Sequence, residues 1–359
     1  MDSIKNQAPK APKVKRESKN RIRVEFDERT SIWTRLRLRL TSSFFWINVV
    51  YYLFRFILMV GISYVILFPF FSKIAGSFMS PSDFVDPSVR IIPKNFTLDI
   101  YKAIIVENNY LMAFLNTLLL SLSCAILQTF ICAFVGYGLA KFKFKGNKLL
   151  FFLVILTMIV PHGTIKLSMM MHFHHFDLGG VQAWGIPGLL NLFSGGAFAA
   201  SKVDSLINTF WPMIILSVTG LAFKNGLYIF LMRQFFRGVP DELEESAYVD
   251  GSGVMRTYFQ IVLPLAVPMM ITIFLFSFSW QWTDSFYTTL FFTSKVPLMP
   301  SIIKIPTSLK AAADYAAATL YNNAINNTCG LLIILPLVIL YLFCQRYLVE
   351  GIERSGLVG

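Results

Sequence analysis

Six stretches of the chain are long and continuously apolar, separated by polar turns: residues 56–78, 112–137, 149–171, 210–232, 264–286 and 328–348. A helix needs about 20 mostly apolar residues to cross about 30 Å of hydrocarbon, and each stretch has that length. The runs do not alternate, so they predict helices and not the strands of a barrel. The expected fold class is therefore all-α integral membrane, with six transmembrane helices. Before the first of these, "SFFWINVVYYLF" (43–54) is too short to span ahead of Arg55, and its Trp and Tyr suit an interfacial helix. The loops at 79–111, 172–209 and 287–327 share one side. The middle one, rich in Gly, Ala and Ser, predicts short irregular helices against the membrane surface. On the other side only 233–263 is extended.

Composition agrees with the pattern. The 359 residues are 55% hydrophobic and only 14% charged, too little polar surface to wrap a water-soluble body of this size. Lysine and arginine then set the orientation, because short loops rich in them stay cytoplasmic. The segment to Leu40 carries 12, the "KFKFKGNK" turn (141–148) four, the 233–260 loop three, and the end of the chain two, Arg346 and Arg354. The three long loops of the opposite side share seven. Both termini are expected in the cytoplasm. The net charge of +12 sits beside the spans, where topology and anionic lipid headgroups account for it without nucleic acid. Residues 1–42 are basic and Pro-rich and read as a largely disordered lead-in rather than a cleavable signal. They precede a segment 43–111 with the interfacial helix, first span and first long loop, a five-span core 112–349, and a cytoplasmic tail 350–359. Cys124, Cys132, Cys329 and Cys344 fall in or beside spans and read as buried thiols.

The loop 237–263 is written for a helix, a bend and a second helix. Pro240 suits a first turn, and Asp241, Glu242, Glu244 and Glu245 suit the positive end of a helix dipole. Gly251 and Gly253 stop the helix, Ser252 can cap a second one, and Pro264 marks the start of the next span. The residues also follow a spaced pattern. Glu245, Ser246 and Ala247 are followed after three residues by Gly251, after nine more by Ile261, and then by Leu263 and Pro264. This resembles the coupling-loop signature of permease subunits of bacterial ABC importers, Glu-Ala-Ala, three residues, Gly, nine residues, Ile, one residue, Leu-Pro. Ser246 replaces the middle alanine. "NTLLLS" at Asn116, "GYGLAKFKFKG" at 136–146, "LINTFWPMII" at 206–215, "FSWQWTDSFY" at 278–287 and the ending "QRYLVEGIERSGLVG" extend the likeness to maltose-type carbohydrate permeases, in particular a subunit similar to the second maltose permease.

The resemblance implies a type I ABC importer fold in the bacterial cytoplasmic membrane and a division of labour. A second permease subunit, two ATP-binding cassette subunits and an extracytoplasmic solute-binding protein are the expected partners, with carbohydrate as cargo, an oligosaccharide by the family's habit. Glu244, Glu245, Ala247, Asp250, Gly251, Ile261, Leu263 and Pro264 would couple to the ATPase, Glu245 as charge partner of a basic residue and Ala247 allowing close approach. The chain has no Gly-x-x-x-x-Gly-Lys-Ser/Thr phosphate loop, so ATP and magnesium are expected in the partner subunits and no cofactor or catalysis in this one.

For the cargo, Trp280, Gln281, Trp282, Asp284 and Tyr287, with Asn116, form a candidate pathway of aromatic platforms beside an acid and amides; the same residues also read as an interfacial aromatic belt. Lys166 and Lys224 either line this cavity, which would favour an anionic sugar such as a uronide, or snorkel. His172, His174, His175 and Asp177, with His162 one turn row away, lack a second ligand cluster, and no metal is expected. Other cargo such as peptide, and a self-contained carrier or channel, are the rival readings; the coupling signature opposes the latter.

Overall fold

In the computed structural model the described residues are 43–174, 206–292, 296–310 and 318–354, with a short pair of strands, β1 (Arg16–Ser18) and β2 (Arg21–Ile22), and Trp33. The rest of 1–42, the body of the middle loop with His175 and Asp177, and residues 355–359 lie outside the description. Two units are distinguished, Met1–Phe71 and Ser72–Gly359.

The first unit is dominated by helix α1 (Ser43–Gly76), 34 residues whose described side chains are largely exposed. The expected interfacial helix and first span are here one rod. Arg55 does not divide them, because arginine is a good helix former and its long side chain can reach out of an apolar stretch.

The second unit is helical. After a turn at Pro81–Phe84 come α2 (Asp99–Glu107), α3 (Tyr110–Lys141), α4 (Asn147–Ile159) and α5 (His162–His174). They are followed by α6 (Trp211–Val218), α7 (Asn225–Arg237), α8 (Glu242–Val249), α9 (Val254–Leu265), α10 (Val267–Trp282), α11 (Phe286–Phe291) and α12 (Ala318–Arg354). The central element is α3, which packs on α6, α7 and α10. Its buried stripe recurs every three or four residues as Ala113, Thr117, Ser121, Ala125, Gln128 and Cys132, small or polar side chains that let helices approach closely inside a membrane. At Gly136 the approach leaves no room for a side chain, since a Cβ there would stand 2.6 Å from Met232 Cβ.

Among the described residues three helices, α1, α3 and α12, are each long and apolar enough to cross a membrane, and two bent pairs bring the number to five if each pair is one span. Residues 149–171 are not one straight helix: α4 and α5 meet at 99° around Pro161. Val160 is extended there, because the proline ring disfavours helical backbone before it. Residues 210–232 also differ from the expected single span. Gly220 at φ +74° ends α6 by letting the amides of Leu221 and Ala222 turn back on Leu216 O (3.0 and 2.9 Å), and α7 restarts five residues later. α9 and α10 meet at 75°. At the other end of the chain, α12 continues through the expected loop residues 318–327 and into the expected tail as far as Arg354.

At one end of the unit the long loops fold on each other. Asn108 Nδ2 donates to Ile302 O and Lys304 O (2.9 and 2.8 Å), and Glu107 accepts from Thr307 N and Oγ1 (2.7 and 2.6 Å). Hydrogen bonds from Ser308 and Thr307 hold the Glu107 carboxyl at about 2. The described ends of the middle loop are also tied, Leu206 N donating to Phe173 O (3.0 Å).

Candidate functional site

The segment that carries the spaced Glu245, Gly251 and Leu263-Pro264 pattern forms at the opposite end of α3. α8 begins at Glu242 with Asp241 as its N-cap, so Pro240 stands just outside the first turn in which it was expected. Three glutamates occupy that first turn, where the helix dipole favours them. The helix ends as the glycine pattern requires. Gly251 lies at φ +81°, with its amide on Tyr248 O (3.0 Å) and the Ser252 amide on Ala247 O (2.9 Å), the paired bonds of a Schellman stop. Ser252 is not the cap of α9. Gly253 holds that position with no side-chain bond.

Lys141, the last residue of α3, fastens α8 to the body. Its side chain is only 6% exposed, and its Nζ donates to Val239 O (2.6 Å) and to Asp241 Oδ1 (2.6 Å) and lies 3.3 Å from Glu244 Oε1. Tyr137, one turn earlier, donates its hydroxyl to Glu244 Oε2 (3.1 Å) and packs its ring 4.7 Å from that of Tyr258 on α9. α8 and α9 are thus both held by the last turn of α3. The Lys141 hydrogen bond and charge hold the exposed Asp241 carboxyl below its ordinary range. Arg233 closes the same corner, donating Nε to Leu139 O (3.3 Å) with its guanidinium 3.8 Å from the centroid of the Phe151 ring.

This geometry divides the coupling residues that the sequence grouped together. Glu244 and Ala247 are buried and face the body, so within this chain their contacts are internal. Residues three apart on a helix share one face, and that face packs against α9 while Tyr137 and Lys141 of α3 reach Glu244. Glu245, Asp250 and Gly251 are exposed, alongside Tyr248 and Val249. Ile261 and Leu263 are half-buried and Pro264 is exposed, ahead of the α9–α10 bend. Lys141 and Tyr137 carried no assigned role in the sequence reading. By type Lys141 is one of four topogenic cations in its turn, and only its burial separates it from Lys143 and Lys145.

The candidate pathway residues do not converge on one surface. Trp282 is fully buried, stacked on Phe278 and donating Nε1 to Ile333 O (2.9 Å), so it is core and its pathway role is withdrawn. Asn116 holds the loop at Pro297 O (3.0 Å), and Gln281 is buried. Asp284 caps α11, accepting from Thr288 N (2.9 Å) and Oγ1 (3.2 Å). Tyr287 is buried with its hydroxyl 2.9 Å from His162 Nδ1. Of the group, Trp280 is half exposed, with Lys224 Nζ 4.7 Å from its ring centroid. A further polar chain that composition gave no sign of crosses the core. Ser277 Oγ donates to Gln128 Oε1 (2.7 Å) and Gln128 Nε2 to Ser217 Oγ (3.1 Å), linking α10, α3 and α6.

Among the described residues no group of three His, Cys, Asp or Glu side chains could hold a metal ion, and Cys124, Cys132 and Cys329 are buried free thiols.

Residues 131–354, which contain the Lys141 clamp, α8 and its glycine stop, match the family described as the binding-protein-dependent transport system inner membrane component. The chain belongs to this family. Among its relatives are the maltodextrin transport system permease protein MalD of Streptococcus pneumoniae, 28% identical over 90% of this chain and 97% of that one, and the galactooligosaccharides transport system permease protein GanQ of Bacillus subtilis, 24% identical over 86% and 95%. In fold it is similar to a solved bacterial ABC transporter involved in import of the acidic polysaccharide alginate, with TM-score 0.60, 19% identity, and 84% and 97% of the two chains covered. The chain is accordingly a non-catalytic permease subunit of an ABC importer. Members of the family work in membranes alongside a second permease, ATPase subunits and a solute-binding protein.

Proposed function

We propose that this chain is one of two unlike permease subunits that carry carbohydrate, delivered by an extracytoplasmic binding protein, across the bacterial cytoplasmic membrane by alternating access. Its α8 receives the stroke of an ATP-binding cassette subunit. Six crossings are proposed, with α4–α5, α6–α7 and α9–α10 as broken spans and both termini cytoplasmic, in keeping with the lysine and arginine bias. The segment boundaries at residues 42, 111 and 349 stand as part of this proposal. Carbohydrate cargo is favoured by the names of the maltodextrin and galactooligosaccharide relatives.

The observation that carries the coupling role is the two-faced character of α8. Glu244 and Ala247 face the body while Glu245, Tyr248, Val249 and Asp250 stay exposed, an acidic and apolar surface suited to a groove with a basic residue. Because Gly251 and Lys141 fix both ends of α8, a push on that surface moves α3 with it. Rocking of the spans then follows from contacts that differ between the ATP-bound and ATP-free states. The test replaces Glu245 with Ala in the intact complex. Uptake is expected to fall at least tenfold with normal membrane insertion, and Glu245→Cys to crosslink to the ATPase subunit. Unchanged uptake together with no crosslink would refute the assignment.

A further inference from the structure

Where α6 breaks before α7, the chain does something costly with a cation. Lys224 adopts φ +72°, a left-handed conformation that is strained for a non-glycine residue. That backbone sets its Nζ 4.6 Å from the centroid of the Phe223 ring and 4.7 Å from that of Trp280. No carboxylate pairs with it among the described residues. A cation within a membrane-spanning segment and without a counter-charge is expensive and marks a functional place.

Its surroundings mix apolar side chains, among them Met158, Leu221 and Leu227, with a few polar groups. Thr157, His162, Phe223 and Lys224 border a cavity of about 120 Å³ beside the break. His162 is held edge-on to Phe223 (centroids 4.8 Å) and is fixed by the Tyr287 hydroxyl. One helical turn beyond His162 stands Lys166, its Nζ 5.8 Å from the centroid of the Phe286 ring and likewise without a carboxylate partner among the described residues. The neighbouring acid, Asp284, is already engaged in capping α11. The Lys224 ammonium, the His162 imidazole and the Thr157 hydroxyl therefore border one cavity, and the half-exposed Trp280 indole stands against the same ammonium.

From this arrangement we infer a subsite for an acidic sugar residue, the carboxylate of a uronic acid seated on Lys224 at the cavity and its ring on the exposed part of Trp280. The inference rests on the carbohydrate reading above and narrows it. A sugar ring offers apolar CH edges to an aromatic face, and a carboxylate supplies the charge that Lys224 lacks. The cavity is too small for a sugar ring and suits a carboxylate.

The test uses the purified complex of all its subunits without nucleotide, in zwitterionic detergent micelles. Binding of a hexuronate trisaccharide, its methyl ester and the matching neutral trisaccharide is measured by calorimetry. The free acid is expected to bind at least tenfold more tightly than the ester. Lys224→Met should abolish that preference, Lys224→Arg should keep most of it, and Trp280→Ala should weaken all three ligands. Equal binding of acid and ester, or a preference that survives in Lys224→Met, overturns the subsite while leaving the carbohydrate reading intact. If none of the three sugars binds or is taken up, the carbohydrate reading falls as well. Repeating the titration with phosphatidylglycerol present separates a lipid headgroup from a sugar: loss of uronate binding to the lipid at equimolar amounts would make this a lipid site and overturn the proposal.

Discussion

Lys141 shows how little residue type says about role. Of the four lysines in its turn it alone is buried, between the carbonyl of Val239 and the carboxylates of Asp241 and Glu244. Removing one partner of a buried pair leaves the other charge uncompensated, a loss of about 3–5 kcal/mol. Lys141→Met is therefore expected to release α8, seen as faster amide exchange across 242–249 and at least a tenfold fall in uptake, whereas Lys143→Met should change neither. The exposed Asp241 gives the same contact a pH signature. Its carboxyl is lowered by the Lys141 hydrogen bond, so its contribution is complete above the unfolded value of about 3.9 and is lost only as pH falls through the lower folded value. Exchange in α8 should be flat, after correction for intrinsic rates, from pH 8 to 5, and should rise only in stronger acid. Asp241→Asn should remove that acid-dependent rise.

At the scale of elements, the crossing of α3 and α7 is set by an absent side chain. A Cβ at Gly136 would meet Met232 Cβ at 2.6 Å and the backbone amide nitrogen of Arg233 at 3.0 Å, so backbone has to move. Gly136→Ala is expected to cost about 1–3 kcal/mol, the usual range for overpacking, read as a lower unfolding temperature of the purified complex. Gly138→Ala, two residues on with only a ring carbon of Phe142 within reach at 3.9 Å, should be near neutral. The coupling helix was legible at this scale because its signals are local: acids at its start and Gly251 at its end act through the backbone next to them. The breaks were less so. Pro161 and Gly220 both lie inside apolar runs, and a hydropathy window averages over a proline or glycine that the backbone cannot ignore.

Over the whole molecule, the six-crossing arrangement makes a direct prediction. Single cysteines at Ser252 and at Lys304 should label from opposite sides of the membrane, Ser252→Cys from the cytoplasm and Lys304→Cys from outside. Labelling of both from one side would require an even number of crossings between α8 and the 296–310 loop, and would overturn the arrangement. The same contrast appears in the aromatic group at 280–287. Sequence grouped these residues by type, and packing sorted them, sending Trp282 into the core, Asp284 to a helix cap and Trp280 to the surface beside Lys224.

The sequence by itself determined that this chain is a helical membrane protein, where its apolar segments lie, and where the segment proposed to couple must turn, because hydropathy, charge bias and glycine act over a few residues or one bilayer thickness. Only the tertiary structure decided which side of α8 is available, which lysine is a clamp and which is left without a counter-charge, and which aromatics are merely core. Those properties belong to pairs of groups that are as much as 100 positions apart in the chain, as Lys141 and Asp241 are, and no local pattern records which of two chemically equal side chains the fold will bury.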